Sequence, residues 1–334
     1  MEIDSFVAAH RAEWDRLHAL AARRGRLTGE ESDELVDLYQ RTATHLSLVQ
    51  SSAPDPALVS RLSALVAEGR AAVTGASGAS WWDVSTFVTH SFPVAVWRAR
   101  GWWITVAALS TVVAVAIGTW IARSPEVVAS LATPDELQSL VDRDFVDYYS
   151  SNPAGSFALQ VWTNNAWVAA VALVGGALLC LPGVFILWQN ALNVGVVGGL
   201  MAYSGRLDVF FGLITPHGLL ELTAVFIAGG AGIRLGWQII APGPRPRSVA
   251  LAEEGRSTLT IALGLIVVLL VSGGVEAFVT PSGLPTWARV AVGAAVWLAF
   301  LAYVVVLGRR AEREGSMGDV VDRAAVTESL PYAG

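Results

Sequence analysis

The sequence contains no lysine, so all 22 basic residues are arginines, and 28 acidic residues outnumber them. The resulting net charge of -6 argues against a nucleic-acid partner, because phosphate neutralisation requires clustered cations. The single cysteine, Cys180, excludes an internal disulfide, and its apolar neighbours favour a packing role. The Gly229-Gly230 pair lacks the lysine and the strand of a phosphate-binding loop. The sequence therefore predicts no nucleotide and no other cofactor.

Charged residues are scarce as well. They make up 15% of the 334 residues, against about 25% in ordinary soluble domains, while 54% of the residues are hydrophobic. Thirteen tryptophans and 32 glycines fit interfacial anchors and closely packed helices. This composition argues against a water-soluble enzyme and predicts an all-α fold, a polytopic α-helical membrane protein.

Long apolar stretches predict about six transmembrane helices, since about 20 apolar residues cross the roughly 30 Å hydrocarbon layer. The charge-free stretch 157–204 is long enough for two spans with a turn at Pro182-Gly183, and a re-entrant pair is the alternative there. Residues 205–215 are short and polar, and we expect them in the outer interface, with Thr215 capping a helix that starts at Pro216. The remaining predicted spans are 102–122, 216–240, 258–280 and 287–307.

The chain divides by composition into four regions. Residues 1–80 predict a cytoplasmic bundle of helices, with a capping box at Thr28 and Glu31 and a cap at Asp55-Pro56. The regions that follow are an interfacial helix and linker at 81–100, a transmembrane domain at 101–308 that includes an acidic extracytoplasmic segment at 123–156, and a cytoplasmic tail at 309–334. With six crossings the flanking arginines fall on one side, so we expect both termini in the cytoplasm and the protein in the inner membrane.

Polar residues inside the predicted spans are candidates for function, because the bilayer makes them costly. His217 and Glu221 are four residues apart and share one face of a helix. Depth along the spans predicts an outward-opening cluster that contains both, with two asparagines lying deeper. The predicted intramembrane polar residues are Asn164, Asn165, Asn190, Asn193, His217, Glu221 and Glu276, of which Asn165, His217, Glu221 and Glu276 form the cluster.

Three interpretations of this cluster remain open. The polar groups can hydrogen-bond the helices together, form a cavity for a proton or ligand, or bind a metal through one imidazole and two carboxylates. An HExxH spacing is absent, so no metal site is assigned. Arg234 lies about 20 Å along a straight helix from Glu221, and we expect it to reach toward the inner surface instead of the cluster.

Two pairs of glycines have GxxxG spacing, namely Gly195 with Gly199 and Gly232 with Gly236. This spacing lets helix backbones approach closely. We expect it to serve packing within the chain, and a homodimer interface is the alternative.

Several short motifs resemble the stage II sporulation protein M family, also called DUF95, and its actinobacterial members in particular. The motifs are Pro216-His217-Gly218-Leu219-Leu220-Glu221-Leu222, Gly229-Gly230-Ala231-Gly232, Thr163-Asn164-Asn165, Val275-Glu276-Ala277-Phe278 and, in the head, Leu38-Tyr39-Gln40-Arg41 with His45-Leu46. The resemblance implies an integral inner-membrane protein with a role in the cell envelope. It also implies neighbours of the RDD membrane-protein and MoxR ATPase types.

These observations lead to two functional hypotheses. The first is a non-enzymatic membrane component of a cell-envelope, peptidoglycan-related complex, whose head binds a cytoplasmic partner and whose acidic segment binds a periplasmic one. The alternative is a transporter or lipid-handling protein that uses the polar cluster, with membrane lipid as its surroundings. An intramembrane hydrolase would need a nucleophile beside a base, and the sequence offers no convincing pair.

Overall fold

The computed structural model describes residues 3–23, 27–52, 55–73, 81–139 and 154–318, and within these ranges all regular structure is helical. The chain forms two compact units, Met1–Val84 and Ser85–Gly334. Residues 74–80, residues 140–153 of the predicted acidic segment and the tail beyond 318 lie outside the described residues. The all-α fold class predicted from the sequence is confirmed.

The described residues of the first unit, the head, form three complete helices: α1 (Ile3–Ala22), α2 (Gly29–Ser52) and α3 (Pro56–Val73). Each helix contributes apolar residues at helical spacing to one core. Its buried members are Trp14, Leu17, Leu20, Ala21, Leu35, Leu38, Val49, Leu58, Leu62 and Leu65. Burial of this stripe stabilises helices whose other faces are charged.

Both helix starts predicted in the head are observed. The Thr28 amide donates to Glu31 Oε2 at 3.0 Å, and the Glu31 amide donates to Thr28 Oγ1 at 3.2 Å, which completes the capping box. These hydrogen bonds and nearby Arg23 lower the pKa of the Glu31 carboxyl. At α3, Asp55 Oδ1 accepts from the Ala57 amide at 2.8 Å.

The second unit, the membrane unit, begins with short helices and continues with long apolar ones. Helix α4 (Trp81–Thr86) contains the boundary between the two units, and it is followed by a π-helical turn (Phe87–Ser91) and by α5 (Phe92–Arg98). The rest are α6 (Arg100–Ala122), α7 (Pro125–Leu131), α8 (Pro134–Ser139), α9 (Ala154–Ala177), α10 (Leu181–Tyr203), α11 (Leu207–Ile240), α12 (Arg247–Phe278) and α13 (Thr286–Arg313).

Within the part of the chain that the structure describes, five helices are long and apolar enough to cross a membrane: α6, α10, α11, α12 and α13. The remaining predicted span corresponds to α9, which has 24 residues and no charge. The turn between α9 and α10 differs from the prediction. It lies at Leu179 and Cys180, both with positive φ, and Pro182 belongs to the first turn of α10. Proline is well suited to that position because its missing N–H would have no helical partner there.

Helix α11 is the centre of the membrane unit and packs against α6, α9, α10, α12 and α13. Its middle is rich in small residues, and Ala224, Ala228 and Ala231 are almost completely buried. Small side chains allow several helix backbones to approach one element. The residues of α11 are therefore well placed to meet polar groups from its neighbours.

The predicted start of this helix is wrong. Thr215 and Pro216 lie inside α11, which begins at Leu207 and runs for 34 residues, so residues 207–215 belong to the same helix as the predicted span. Proline removes one backbone hydrogen bond. Ending the helix there would expose several unpaired backbone groups, and lipid offers no water to satisfy them. Continuation of the helix leaves fewer groups unpaired.

Part of the segment predicted as an interfacial helix, residues 91–96, is packed inside the membrane unit. Residues 92–96 of α5 are all buried, and α5 packs against α12 and α13. Glycines permit the contact, because a Cβ at Gly308 would lie 2.6 Å from the Pro93 carbonyl oxygen. Only the flanking positions keep the exposed character that the sequence suggested.

All four glycines of the GxxxG pairs pack within the chain. A Cβ at Gly195 would lie 2.8 Å from the Ala114 carbonyl oxygen of α6, and one at Gly199 would lie 2.9 Å from that of Gly118. Gly232 and Gly236 lie directly against the backbone of α9, where any Cβ would collide with a carbonyl oxygen. These glycines thus bring α6 to α10 and α9 to α11.

Candidate functional site

Three helices of the membrane unit bring ionisable and amide side chains to one place. Helix α9 supplies Asn165, α11 supplies His217 and Glu221, and α12 supplies Glu276. One potential ligand atom from each of His217, Glu221 and Glu276 lies within 4.8 Å of the other two. We call these four residues the polar cluster. Because its members come from separate helices, the cluster also fixes the relative positions of those helices.

Direct contacts order the cluster. Asn165 Nδ2 donates to Glu221 Oε1 at 2.6 Å, which joins α9 to α11. His217 Nε2 lies 3.9 Å from Glu276 Oε1, too far for a hydrogen bond. The carboxylates of α11 and α12 therefore approach the imidazole without being hydrogen-bonded to it through this pair of atoms.

Residues near the end of α12 hold the histidine. His217 Nδ1 lies 3.3 Å from Thr280 Oγ1, and Ser272 Oγ donates to the His217 carbonyl oxygen at 3.0 Å. When Nδ1 carries the proton and donates to the threonine hydroxyl, the lone pair lies on Nε2, the nitrogen nearer Glu276. Thr280 at the ring and Ser272 at the backbone carbonyl of His217 thus fix the orientation of the imidazole.

The cluster contains two acidic side chains, and no described arginine pairs with them. His217 is 5% exposed and Glu276 is 2% exposed. Glu276 Oε2 is buried without a hydrogen-bond partner among the described residues. A buried carboxylate without compensation is costly, so the arrangement favours a bound positive charge.

The other predicted asparagines lie elsewhere. Asn164 and Asn193 are exposed on the surface of the membrane unit. Asn190 lines an apolar cavity of about 480 Å³ between α6, α10 and α11. A second apolar cavity of about 570 Å³ is formed mainly by α6 and α10. Neither cavity is lined by His217, Glu221 or Glu276, so the structure separates these asparagines from the cluster.

Several participating residues were missed by sequence reasoning. Thr280 and Ser272 contact His217, and Arg289 Nη1 donates to the Thr280 carbonyl oxygen at 2.7 Å. Ser272 and Thr280 lie four residues before and after Glu276, a helical spacing that could have indicated them. The contact with Arg289 depends on tertiary structure and has no such signal.

Arg234 is part of an ion pair that the sequence did not reveal. Its Nη2 lies 2.8 Å from Glu254 Oε2, and both side chains are largely buried. The prediction placed residues up to 257 outside the span, whereas α12 begins at Arg247. Glu254 therefore faces the C-terminal half of α11.

Comparisons with known proteins agree on the membrane unit. The family model for stage II sporulation protein M matches residues 107–281, more than half of the chain, and a model for a domain of unknown function, DUF8413, matches residues 4–75 of the head. An uncharacterized protein of Methanocaldococcus jannaschii is 27% identical over 149 residues, which is 44% of this chain and 83% of that protein. No solved structure matches.

Proposed function

This chain belongs to the stage II sporulation protein M family, and from that premise we propose that its membrane unit binds a small cation at the polar cluster, as a transporter does. The observation that carries the proposal is the convergence of two carboxylates and an imidazole at a buried position without a basic partner among the described residues. A cation would neutralise the carboxylates where water cannot.

The geometry favours binding over catalysis. The hydroxyl of Thr280 lies 3.3 Å from His217 Nδ1, and Thr280 is 0% exposed, so it is poorly placed to attack a substrate. A hydrolase needs a nucleophile that is within reach of both a base and a substrate. We therefore propose a non-enzymatic role.

Thermal unfolding of the purified full-length chain in detergent tests cation binding. Unfolding is measured with Na⁺, K⁺, Mg²⁺, Ca²⁺, Mn²⁺, Co²⁺ or Zn²⁺ at matched ionic strength. A ligand at 100 times its Kd stabilises the native state by about 2.7 kcal/mol. We expect at least one cation to raise the Tm of the wild-type chain and to leave that of the Glu221→Gln/Glu276→Gln variant unchanged.

The matched control is Asn164→Gln, since Asn164 is an exposed amide beside Asn165 and does not belong to the cluster. It should respond to the cation as the wild type does. If every cation shifted the Tm of the wild type and of the double variant equally, stabilisation would be independent of the cluster and the proposal would be wrong. Flux into proteoliposomes then distinguishes transport from static binding.

A second candidate function, membership of a cell-envelope complex, is supported by the family match. In this proposal the chain lies in the inner membrane with both termini cytoplasmic and contacts lipid. The head, which a separate family model matches, binds a cytoplasmic protein of the MoxR ATPase type, and the membrane unit lies beside an RDD-type membrane protein. A second copy of the chain is an alternative neighbour.

Co-purification tests this second function. The tagged full-length chain is isolated from membranes of its own host, and proteins of the two types are quantified by mass spectrometry. Arg11 and Arg61 are exposed on the head, so the Arg11→Glu/Arg61→Glu variant should lose the ATPase and keep the membrane partner. Equal recovery of the ATPase with both chains would rule out this face of the head as its binding surface.

A further inference from the structure

We infer that the cation is a divalent transition-metal ion of the Zn²⁺ type, bound by His217 Nε2 and by one carboxylate oxygen each from Glu221 and Glu276. The inference rests on the proposed cation-binding function and specifies its ligand. It assigns a direct role to three side chains that come from two helices. Asn165 and Thr280 act as positioning residues.

Interatomic distances fit shared coordination better than direct pairing. Two ligands at about 2.1 Å from a tetrahedral ion are about 3.4 Å apart. The 3.9 Å between His217 Nε2 and Glu276 Oε1 exceeds a hydrogen bond yet is close to that separation. All three ligand atoms lie within 4.8 Å of one another, so side-chain movements of about 1 Å would complete the site.

Unsatisfied hydrogen-bonding capacity points to the same place. Glu276 is 2% exposed, and its Oε2 has no hydrogen-bond partner among the described residues. Buried carboxylate oxygens are normally hydrogen-bonded or coordinated to a metal. An ion bound between Glu221 and Glu276 would satisfy this atom and reduce the repulsion between the two carboxylates.

The surroundings of the three ligands resemble an outer shell of supporting hydrogen bonds. Asn165 holds Oε1 of Glu221, which leaves Oε2 of that carboxylate for the ion. The hydroxyl of Thr280 can accept from His217 Nδ1–H and so present the Nε2 lone pair. Metal-binding histidines commonly donate their other ring N–H in this way, and ligating carboxylates are also hydrogen-bonded.

The ligand set selects the class of metal. Calcium takes six to eight oxygen ligands, and magnesium strongly favours oxygen and retains water. One imidazole with two carboxylates suits Zn²⁺ and its neighbours in the first transition row, and three protein ligands leave the fourth position of a tetrahedral ion for water. The two negative charges of the carboxylates match the charge of a divalent ion.

The head contains a second group with metal-ligand geometry, formed by His10, Glu13 and His45, whose ligand atoms lie within 4.8 Å of one another. Its His10 Nδ1 and Glu13 Oε2 are also buried without a hydrogen-bond partner among the described residues, but its negative charge is partly balanced. Trp14 Nε1 donates to His45 Nδ1 at 3.2 Å, and Arg41 lies 3.7 Å from Glu13. These contacts occupy an imidazole lone pair and partly neutralise the carboxylate, so the membrane cluster is the stronger site.

Metal binding is measured on the full-length chain in detergent, with His10→Gln/Glu13→Gln introduced so that the head contributes no competing site. After removal of metal with a chelator, Co²⁺ is titrated and followed by its visible absorption bands, and Zn²⁺ is then added in competition. We expect one equivalent of Co²⁺ per chain, absorption bands typical of mixed nitrogen and oxygen ligands, and displacement by Zn²⁺.

Single variants separate ligands from positioning residues. His217→Gln and Glu276→Gln should abolish the Co²⁺ bands. Asn165→Ala and Thr280→Val should keep the bands and raise Kd by about 10- to 100-fold, as changes to outer-shell groups do. Asn164→Ala is the matched control and should bind as the parent does. Circular dichroism and unfolding of the metal-free proteins show which variants are folded. If His217→Gln or Glu276→Gln is not folded, Glu221→Gln provides an independent test of ligation.

The outcomes distinguish this inference from the function on which it rests. If Co²⁺ and Zn²⁺ fail to bind while Na⁺ or Ca²⁺ stabilises the wild type and not Glu221→Gln/Glu276→Gln, the metal inference is wrong and the cation site stands. Retention of the Co²⁺ bands in folded His217→Gln would also contradict it. If no cation stabilises the wild type, both the inference and the proposed function are wrong.

Discussion

The central helix α11 carries two groups of buried charge, and they are built differently. Near its C-terminal end Arg234 pairs with Glu254 at 2.8 Å, so positive and negative charges balance. The second group lies near Pro216, and its Glu221 is thirteen residues before Arg234, about 20 Å along the helix. There two carboxylates meet an imidazole, and no described arginine pairs with them. The first group is balanced in charge, although Arg234 Nη1 and Glu254 Oε1 have no hydrogen-bond partner among the described residues, and the second group has no basic partner there.

This difference indicates which group is structural. An ion pair between two side chains of the same chain joins α11 to α12 whatever ligand is present. Among the described residues the polar cluster has no basic partner, and both groups contain buried atoms without hydrogen-bond partners, so the difference between the groups is their charge balance. A bound cation would supply the positive charge that the polar cluster lacks among the described residues.

The largest expected effect comes from breaking the balanced pair. Arg234→Met should lower the free energy of unfolding by about 3–5 kcal/mol, because it leaves Glu254 buried without a counter-charge. The double variant Arg234→Met/Glu254→Met should recover most of this loss, since both charges are then absent. Chemical unfolding in mixed micelles, without added metal, measures both values.

A loss in the double variant as large as in Arg234→Met would mean that packing of the arginine stem, and not the ion pair, holds these helices together. The control is Arg245→Met. Arg245 pairs with Glu253 on the exposed side of the same region, and exposed pairs contribute at most about 1 kcal/mol.

A smaller effect is expected at the hydrogen bond that orders the cluster. Asn165→Ala removes the donor to Glu221 and should lower the free energy of unfolding by about 1.5–3 kcal/mol, the range for hydrogen bonds to charged groups. A double-mutant cycle with Glu221→Gln isolates the coupling between the two residues. Asn164→Ala should change stability by less than about 0.5 kcal/mol, because its side chain is exposed. Equal effects of the two alanine substitutions would place the stabilisation outside this contact.

Much of the architecture follows from periodicity and local chemistry. The head helices begin where Thr28 and Asp55 predict, because a cap is satisfied by residues within one helical turn. The apolar runs locate the long helices for a similar reason, since lipid demands about 20 apolar residues in succession. Polar positions inside those runs also locate the residues that form the cluster.

What the sequence did not predict depends on tertiary context. Pro216 signals a helix start, yet α11 continues through it, and Gly293 of α13 packs directly against that proline. Glu254 lies outside the predicted span 258–280, but it belongs to α12 because that helix begins at Arg247. Asn190 and Asn193 share the chemistry of Asn165, and only the rotation of each helix decides which amide reaches Glu221. These features are decided by contacts between helices, which a pattern along one chain does not specify.

Glutamate-to-glutamine substitution can be made in both groups, and this comparison includes the smallest expected change in stability, that of Glu276→Gln. Glu254→Gln removes the counter-charge of Arg234 and should destabilise the chain by about 3 kcal/mol or more. Glu276→Gln removes an uncompensated charge, and its new amide can donate to Glu221 nearby, so in metal-free buffer we expect a change below about 1 kcal/mol or a slight gain. Adding the cation should make the wild type more stable than Glu276→Gln, since only the wild type keeps the Glu276 carboxylate that binds the cation. Equal destabilisation by both substitutions in metal-free buffer would show that the two groups do not differ in charge balance.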